Sequence, residues 1–234
     1  IPIVNAINNG LNANNISKFM GIFNGTSNFI LSKMTHEQTT FKDALEEAQR
    51  LGFAEADPTD DVEGVDAARK VVITSYLSFN QVIKLNDVKS VGISDITLAD
   101  INAASALNYK IKSIGKGTYE NGYVNASVEP TLIHKNHQLA AVENEYNAIY
   151  VIGDAVGDTM FYGKGAGSLA TGSAVVSDLL NVALFFESNL HTLPPHFELK
   201  TEETKEMMDG AEPVVIQEKS NYYIVISNNN KSLE

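Results

Sequence analysis

Gly52-Phe53-Ala54-Glu55-Ala56-Asp57-Pro58-Thr59-Asp60-Asp61-Val62-Glu63-Gly64-Val65-Asp66-Ala67-Ala68-Arg69-Lys70 carries six carboxylates within twelve residues and runs straight into the apolar triplet Val71-Val72-Ile73. Like charges this close raise one another's pKa values and destabilise a loop, so each needs a partner or a purpose. Part of the explanation is local. Val65, Ala68, Val72 and Ile73 predict a helix over about 62–77, capped by Asp60 or Asp61, with Glu63 in the first turn where the helix dipole favours negative charge. Its start is amphipathic and its end nearly all apolar, which predicts a buried C-terminal half. Asp66 and Lys70 stand four apart and share a face of that helix. Spacing leaves two readings open: a surface ion pair worth under about 0.5 kcal/mol, or a lysine at the edge of the core that can hold and deliver a proton. A calcium loop is disfavoured, because alternate oxygen ligands around a central glycine are missing.

Outward from this helix the pattern is mixed. Phe41, Ala44, Leu45, Ala48 and Leu51 predict a second helix, with Gly52 as its left-handed cap. Further helices are expected near 3–11, 98–107 and 169–186, and strands over 109–116, 123–128 and 148–152. The expected class is α+β, with a mixed or antiparallel sheet covered by helices. Composition shifts near Glu187, where a linker over 187–213 is expected, and 214–217 and 222–226 read as two strands.

The 234 residues include 29 acidic and 17 basic side chains, a net charge of −12, which argues against nucleic acid or an anionic lipid surface as partner. No contiguous apolar run approaches the roughly 18 residues of a membrane span. The absence of cysteine rules out disulfides, thiolate zinc sites and a thiol nucleophile, and makes a cytoplasmic setting the expectation. Asn15, Asn24 and Asn125 head N-x-S/T triplets that read as chance matches.

Two glycine-rich stretches remain. Gly21 to Phe29 reads as an apolar strand, a tight turn at Asn24-Gly25, and a helix capped by Thr26 or Ser27; the same residues would suit a backbone that approaches a ligand closely. Gly165, Gly167 and Ala170 satisfy the G-x-G-x-x-A form of the dinucleotide fingerprint, but no second strand follows at the required distance. A glycine wall facing a ligand and a plain turn both stay open there.

Taken together, Gly21 to Leu31, Ala44 to Lys70, Pro130-Thr131-Leu132-Ile133, Gly153-Asp154-Ala155-Val156-Gly157 and Phe161-Tyr162-Gly163 with Gly165-Ala166-Gly167 resemble the catalytic region of the homoserine dehydrogenases, over about 1–183. His134 and Gln138 stand where the family often has proline, and Phe53 where tyrosine is frequent. The resemblance implies a glyceraldehyde-phosphate dehydrogenase-like C-terminal catalytic domain over 1–186. It implies reversible reduction of aspartate β-semialdehyde to homoserine with NAD or NADP, in threonine and methionine biosynthesis. The cofactor would be held mainly by a nucleotide-binding domain that precedes this region in the family. The family is dimeric, which together with the β-rich middle implies a homodimer. By the same resemblance Lys70 matches the proton donor, Asp66 the carboxylate beside it and Glu55 a substrate-binding group, with Asp60 and Asp61 as weaker candidates. Gly25 and Thr26 would lie towards the substrate, Gly163, Gly165 and Gly167 towards the cofactor, and no metal is assigned. Residues 214–234 resemble the opening of a truncated ACT-like regulatory domain. The rivals are an inactive oligomerisation or regulatory fragment and a related dehydrogenase acting on another semialdehyde. The isolated chain is expected to lack turnover.

Overall fold

The structure, a computed structural model, describes residues 1–187. The linker and ACT-like expectations from residue 188 onward lie outside the described residues. Strand β1 (Ile16–Ile22) lies inside a six-stranded sheet of order β2-β4-β3-β1-β5-β6. β3 (Tyr109–Glu120) and β4 (Tyr123–His134) form a long hairpin, and β5 (Tyr146–Gly153) and β6 (Gly157–Lys164) a second. Every pairing is antiparallel except that of the short β2 (Lys89–Ser90) with β4, so the sheet is mixed.

The central hairpin outruns its expected bounds because Asn121 and Gly122 both take positive φ, 53° and 85°, as a two-residue hairpin turn requires. From that turn the pairing zips continuously to Tyr109 opposite His134. Pro130 is tolerated because β2 pairs β4 only at Ser127 and Val128, leaving the strand at an edge beyond them.

The helices are α1 (Ile3–Asn5) with a π-helical turn over Ala6–Gly10, α2 (Gly25–Glu37), α3 (Phe41–Arg50), α4 (Thr59–Val62), α5 (Val65–Phe79), α6 (Leu98–Ala106) and α7 (Ser168–Glu187). Three expectations are corrected. There is no turn at Asn24-Gly25: Asn24 is extended and itself caps α2, accepting from the Ser27 N–H, so neither Thr26 nor Ser27 is the cap. Asp60 and Asp61 do not cap the helix that carries Lys70. They sit in the single turn of α4, and α5 starts afresh after Gly64, whose φ of +78° would strain any side chain and whose added Cβ would press on the Ser90 and Val128 side chains at 3.0 and 3.1 Å. The C-terminal half of α5 is not wholly buried, since only the stripe of Val71, Thr74, Ser75 and Phe79 is buried while Ile73 and Tyr76 stay exposed.

Three apolar clusters hold these layers together. The first packs Ala67, Ala68, Val71 and Phe79 of α5 onto Phe19, Val124, Ala126 and Val151 of the sheet. The second gathers α2, α3 and α6 around Ile93 and Ile111, and the third lies about Ile22, Ile114 and Leu139. At about 25 cal/mol per Å² of apolar surface, such burial is the main stabilising contribution.

α7 differs. Leu169, Leu179, Leu180, Leu184 and Phe186 are exposed along it, and it is the one helix among the described residues long and apolar enough to cross a membrane by length and composition, with mean hydropathy 1.6 over Ser168–Phe186. Counting contiguous apolar residues overlooks it because Thr171, Ser173, Ser177, Asp178 and Asn181 interrupt the run.

A polar contact also fixes the layers. The Lys112 ammonium of β3, only 2% exposed, donates to the Val142 carbonyl (2.6 Å), the Asn28 side-chain oxygen (3.1 Å) and the Glu143 carboxylate (3.2 Å). Glu143 also takes hydrogen bonds from Lys110 and from the Ser32 hydroxyl. Burial pushes Lys112 down to about 8. Burial alone would raise Glu143, but the Lys112 charge and the Lys110 and Ser32 hydrogen bonds hold it at about 2. Because its folded pKa lies below the ordinary 4.5, Glu143 contributes stability that is present above about pH 4.5 and lost as pH falls towards 2. Lys112 acts oppositely: its buried charge opposes folding below about pH 8, and that opposition fades as pH rises from 8 to 10.5. Glu143→Gln should therefore remove part of the acid-limb slope in urea unfolding. At pH 7 it should cost on the order of 3 kcal/mol, the low end for breaking a buried pair, since two neutral acceptors remain on Lys112.

Candidate active site

Where β1 ends, Phe23 and Asn24 leave the sheet and α2 begins, directly opposite the first two turns of α5. Lys70 donates to the Asp66 carboxylate (2.6 Å) and to the Phe23 carbonyl (3.1 Å). The pair is partly open, with side-chain exposures of 48% for Lys70 and 30% for Asp66. An exposed ion pair of this spacing contributes little stability, but the bond to Phe23 pins the ammonium to the end of a buried strand, which a surface pair does not need. Asn24 donates to Asp61 (2.6 Å) and to the Asp66 oxygen that Lys70 uses (3.0 Å). The Thr26 hydroxyl donates to the Phe53 carbonyl (2.7 Å), tying the start of α2 to the acidic loop.

Five of the six carboxylates in that loop have partners. Asp57 accepts from the Thr59 N–H and hydroxyl, which holds its carboxyl below the usual range. Asp60 pairs with Arg69 on the surface, Asp61 with Asn24, Glu63 with Ser94, and Asp66 with Lys70 and Asn24. Glu55 is exposed, and among the described residues its carboxylate has no hydrogen-bond or ion-pair partner.

Lys70 lies at a cleft of about 230 Å³ lined by Ile22, Phe23, Ile73, Leu77 and Ile149, by Ile1, Ile3 and Val4 of the N-terminal segment, and by Asn147 and Gly165. The exposed Ile73 of α5 is thus a wall of this cleft. The buried Asn147 donates to the Ile22 carbonyl and stands between the two glycine segments. A Cβ on Gly165 would meet its side-chain oxygen at 2.5 Å, and one on Gly25 would meet the Glu145 carbonyl at 2.8 Å. Gly163 and Gly167 do not line the cleft: Gly163 lies in β6 with ordinary room for a methyl group, and Gly167, at φ +111°, turns the chain into α7. Sequence reasoning missed Asn147, because its hydrogen-bond partner Ile22 lies 125 residues away, and did not see that Asn24 serves both as helix cap and as bridge to the carboxylates. The Asn-Gly pair was the available signal, read as a turn.

Fold and site together define an α+β catalytic domain of the glyceraldehyde-phosphate dehydrogenase-like class, a mixed sheet that sets a lysine and carboxylates beside an apolar cleft. Residues 2–180 match the family model for homoserine dehydrogenase. The Bacillus subtilis homoserine dehydrogenase is 53% identical over 182 residues, covering 78% of this chain and 42% of that protein. A crystal structure of S. aureus homoserine dehydrogenase is 84% identical with TM-score 0.72, covering 83% of this chain and 48% of that one. A hyperthermophilic archaeal homoserine dehydrogenase in complex with NADPH is 28% identical with TM-score 0.65, covering 78% of this chain and 52% of that one. The chain belongs to the homoserine dehydrogenase family and spans under half the length of the curated relatives it matches. The family match takes in most of α7.

Ala in place of Gly at an exposed helix start usually stabilises by under about 1 kcal/mol. At Gly25 the sign should reverse, because the methyl group would press on the Glu145 backbone carbonyl. Gly25→Ala should destabilise by about 1–3 kcal/mol, as overpacking does, read as a lowered urea midpoint at unchanged slope.

Proposed function

We propose that this chain supplies the substrate-binding and proton-transfer half of a homoserine dehydrogenase, which reduces aspartate β-semialdehyde reversibly to homoserine with NAD or NADP. The observation that carries the reading is the Lys70 ammonium, pinned by Asp66 and Phe23 at the mouth of an apolar cleft and still partly open to a ligand. The cleft's aliphatic and aromatic walls fit a flat, weakly polar ring such as nicotinamide. Ile22, Phe23, Ile73, Leu77 and Ile149 would pack against that ring, with Asn147 and Gly165 at its polar edge. When bound, the reduced nicotinamide supplies the hydride.

As the aldehyde carbon is reduced, negative charge develops on its oxygen. Lys70 stabilises that charge and then protonates the oxygen, ending neutral until it regains a proton from solvent. Asp66 holds the ammonium on line through its hydrogen bond to Lys70. Glu55, the one carboxylate of the loop without a partner among the described residues, receives the substrate's ammonium group, with Asp61, held by Asn24, as a second acceptor. Gly25 and Thr26 present first-turn N–H groups of α2 to the substrate. Asp60 is occupied by Arg69 and contributes less. Gly163 and Gly167 shape the approach to the cofactor without lining the cleft, and 1–186 acts as one catalytic and dimerising unit in a cytoplasmic enzyme. No metal enters the mechanism proposed. Assayed alone, the chain should show no turnover, since hydride transfer needs the ring held in place by a nucleotide-binding domain.

In an enzyme joining this region to that domain, Lys70→Ala should lower turnover by roughly 10² to 10⁴ while folding survives. Glu55→Ala should mainly raise the Michaelis constant for the semialdehyde. Lys70→Ala retaining more than about a tenth of turnover would restore the surface ion-pair reading.

The exposed Tyr162, stacked on the half-buried Tyr146, together with the open edge of β6, supports a homodimer with a two-fold interface. Light scattering at micromolar concentration should give twice the chain mass, and a monomer would refute it.

A further inference from the structure

The Asn24 side chain uses its whole hydrogen-bonding capacity inside the candidate site. Its oxygen accepts from the Ser27 N–H (2.8 Å) and hydroxyl (2.7 Å), while its nitrogen donates to Asp61 (2.6 Å) and Asp66 (3.0 Å). It is 6% exposed. The cap alone does not explain an asparagine here. Aspartate and serine cap a helix about as well, and aspartate would add a favourable charge at the dipole's positive end. Only the carboxamide can donate as well as accept. Two carboxylates bonded to one nitrogen lie well inside the screening length of about 8 to 10 Å and repel each other. An N–H donor between them offsets that repulsion, and an aspartate would add a third negative charge. The peptide just before Asn24 completes the arrangement, since the Phe23 carbonyl holds Lys70, which shares its Asp66 oxygen with Asn24.

We propose that Asn24 is a positioning residue for proton transfer: its amide clamps Asp61 and Asp66 at fixed separation, and through Asp66 sets where the Lys70 ammonium points. The proposal rests on the reading of Lys70 as proton donor. It assigns Asn24 a role in turnover distinct from its role in starting α2.

The test is a double-mutant cycle in the enzyme that joins this region to a nucleotide-binding domain, with kcat, both Michaelis constants and thermal unfolding measured for each variant. Asn24→Asp keeps the cap acceptor and removes both donors. Its melting temperature should stay within a few degrees of the parent and its cofactor Michaelis constant should hold. Its kcat should fall about 10- to 100-fold, the scale of a catalytic group displaced by about an ångström. Asn24→Ser, which keeps a cap without the two-armed donor, should lose kcat in the same direction. Asn24→Asp combined with Asp66→Asn exchanges amide and carboxylate while restoring the net charge. Its kcat should exceed the product of the two single losses by about fivefold or more, the mark of residues acting through each other.

Asn24→Asp with kcat within twofold of the parent, alongside a Lys70→Ala variant that has lost turnover, would overturn the proposal and leave the Lys70 reading standing. Losses that simply multiply would overturn it too, as would a folding defect in Asn24→Asp that Asp66→Asn does not repair. Full turnover in Lys70→Ala would remove the reading and the proposal with it.

Discussion

The Lys112 ammonium is held by the Val142 carbonyl, the Asn28 side chain and the Glu143 carboxylate, so the central hairpin, the approach to β5 and the first turns of α2 are fixed to one another. Asn28 extends the contact by donating towards the carbonyls of Val142, Asn144 and Tyr146. A buried charge is costly unless it is paired and hydrogen-bonded, so the partners cannot separate without leaving it stranded. One turn back along α2 stands Asn24, whose bonds reach the acidic loop and α5. The position of Lys70 therefore depends on a polar knot in the core, reached through a single helix.

Much of the class was legible. The helix of Phe41 to Arg50 announces itself by three- and four-residue spacing and by Gly52, and the stretches from Tyr109 and Tyr123 read as strands, though not as the paired hairpin that they form. What escaped depends on long-range contacts. β6 has a largely exposed pattern with no strong alternation, and Asn147 is meaningful only against Ile22, Gly25 and Gly165. Local spacing also misplaced the start of α5, because Val62 and Val65, which look like one continuous helix entry, are split by the left-handed Gly64. The candidate site was legible mainly through resemblance. Spacing alone could pair Asp66 with Lys70, but it could not show the Phe23 carbonyl that separates this pair from an ordinary surface ion pair.

The acidic loop shows how a dense run of like charges becomes tolerable. Each carboxylate but one is absorbed by a different neighbour: a turn hydroxyl for Asp57, a guanidinium for Asp60, a carboxamide for Asp61, a serine for Glu63 and an ammonium for Asp66. Repulsion that would unfold an isolated loop is spread over partners from α2, α5 and the segment near Ser94. The carboxylate left over, Glu55, is the member of the set free to meet a cation from outside.

The hairpin turn at Asn121-Gly122 also bears on how this protein ages chemically. An asparagine followed by glycine is prone to deamidation, in which the next peptide nitrogen attacks the side-chain carbonyl carbon and ammonia leaves. Asn121 is exposed at the hairpin tip, open to water and to that ring closure. Asn24 is followed by glycine as well, yet its carboxamide is bonded at both ends and Gly25 is locked into the start of α2. On storage, new negative charge should accumulate at the hairpin tip well before it appears at Asn24, so a preparation can grow heterogeneous by charge while its candidate site stays chemically intact.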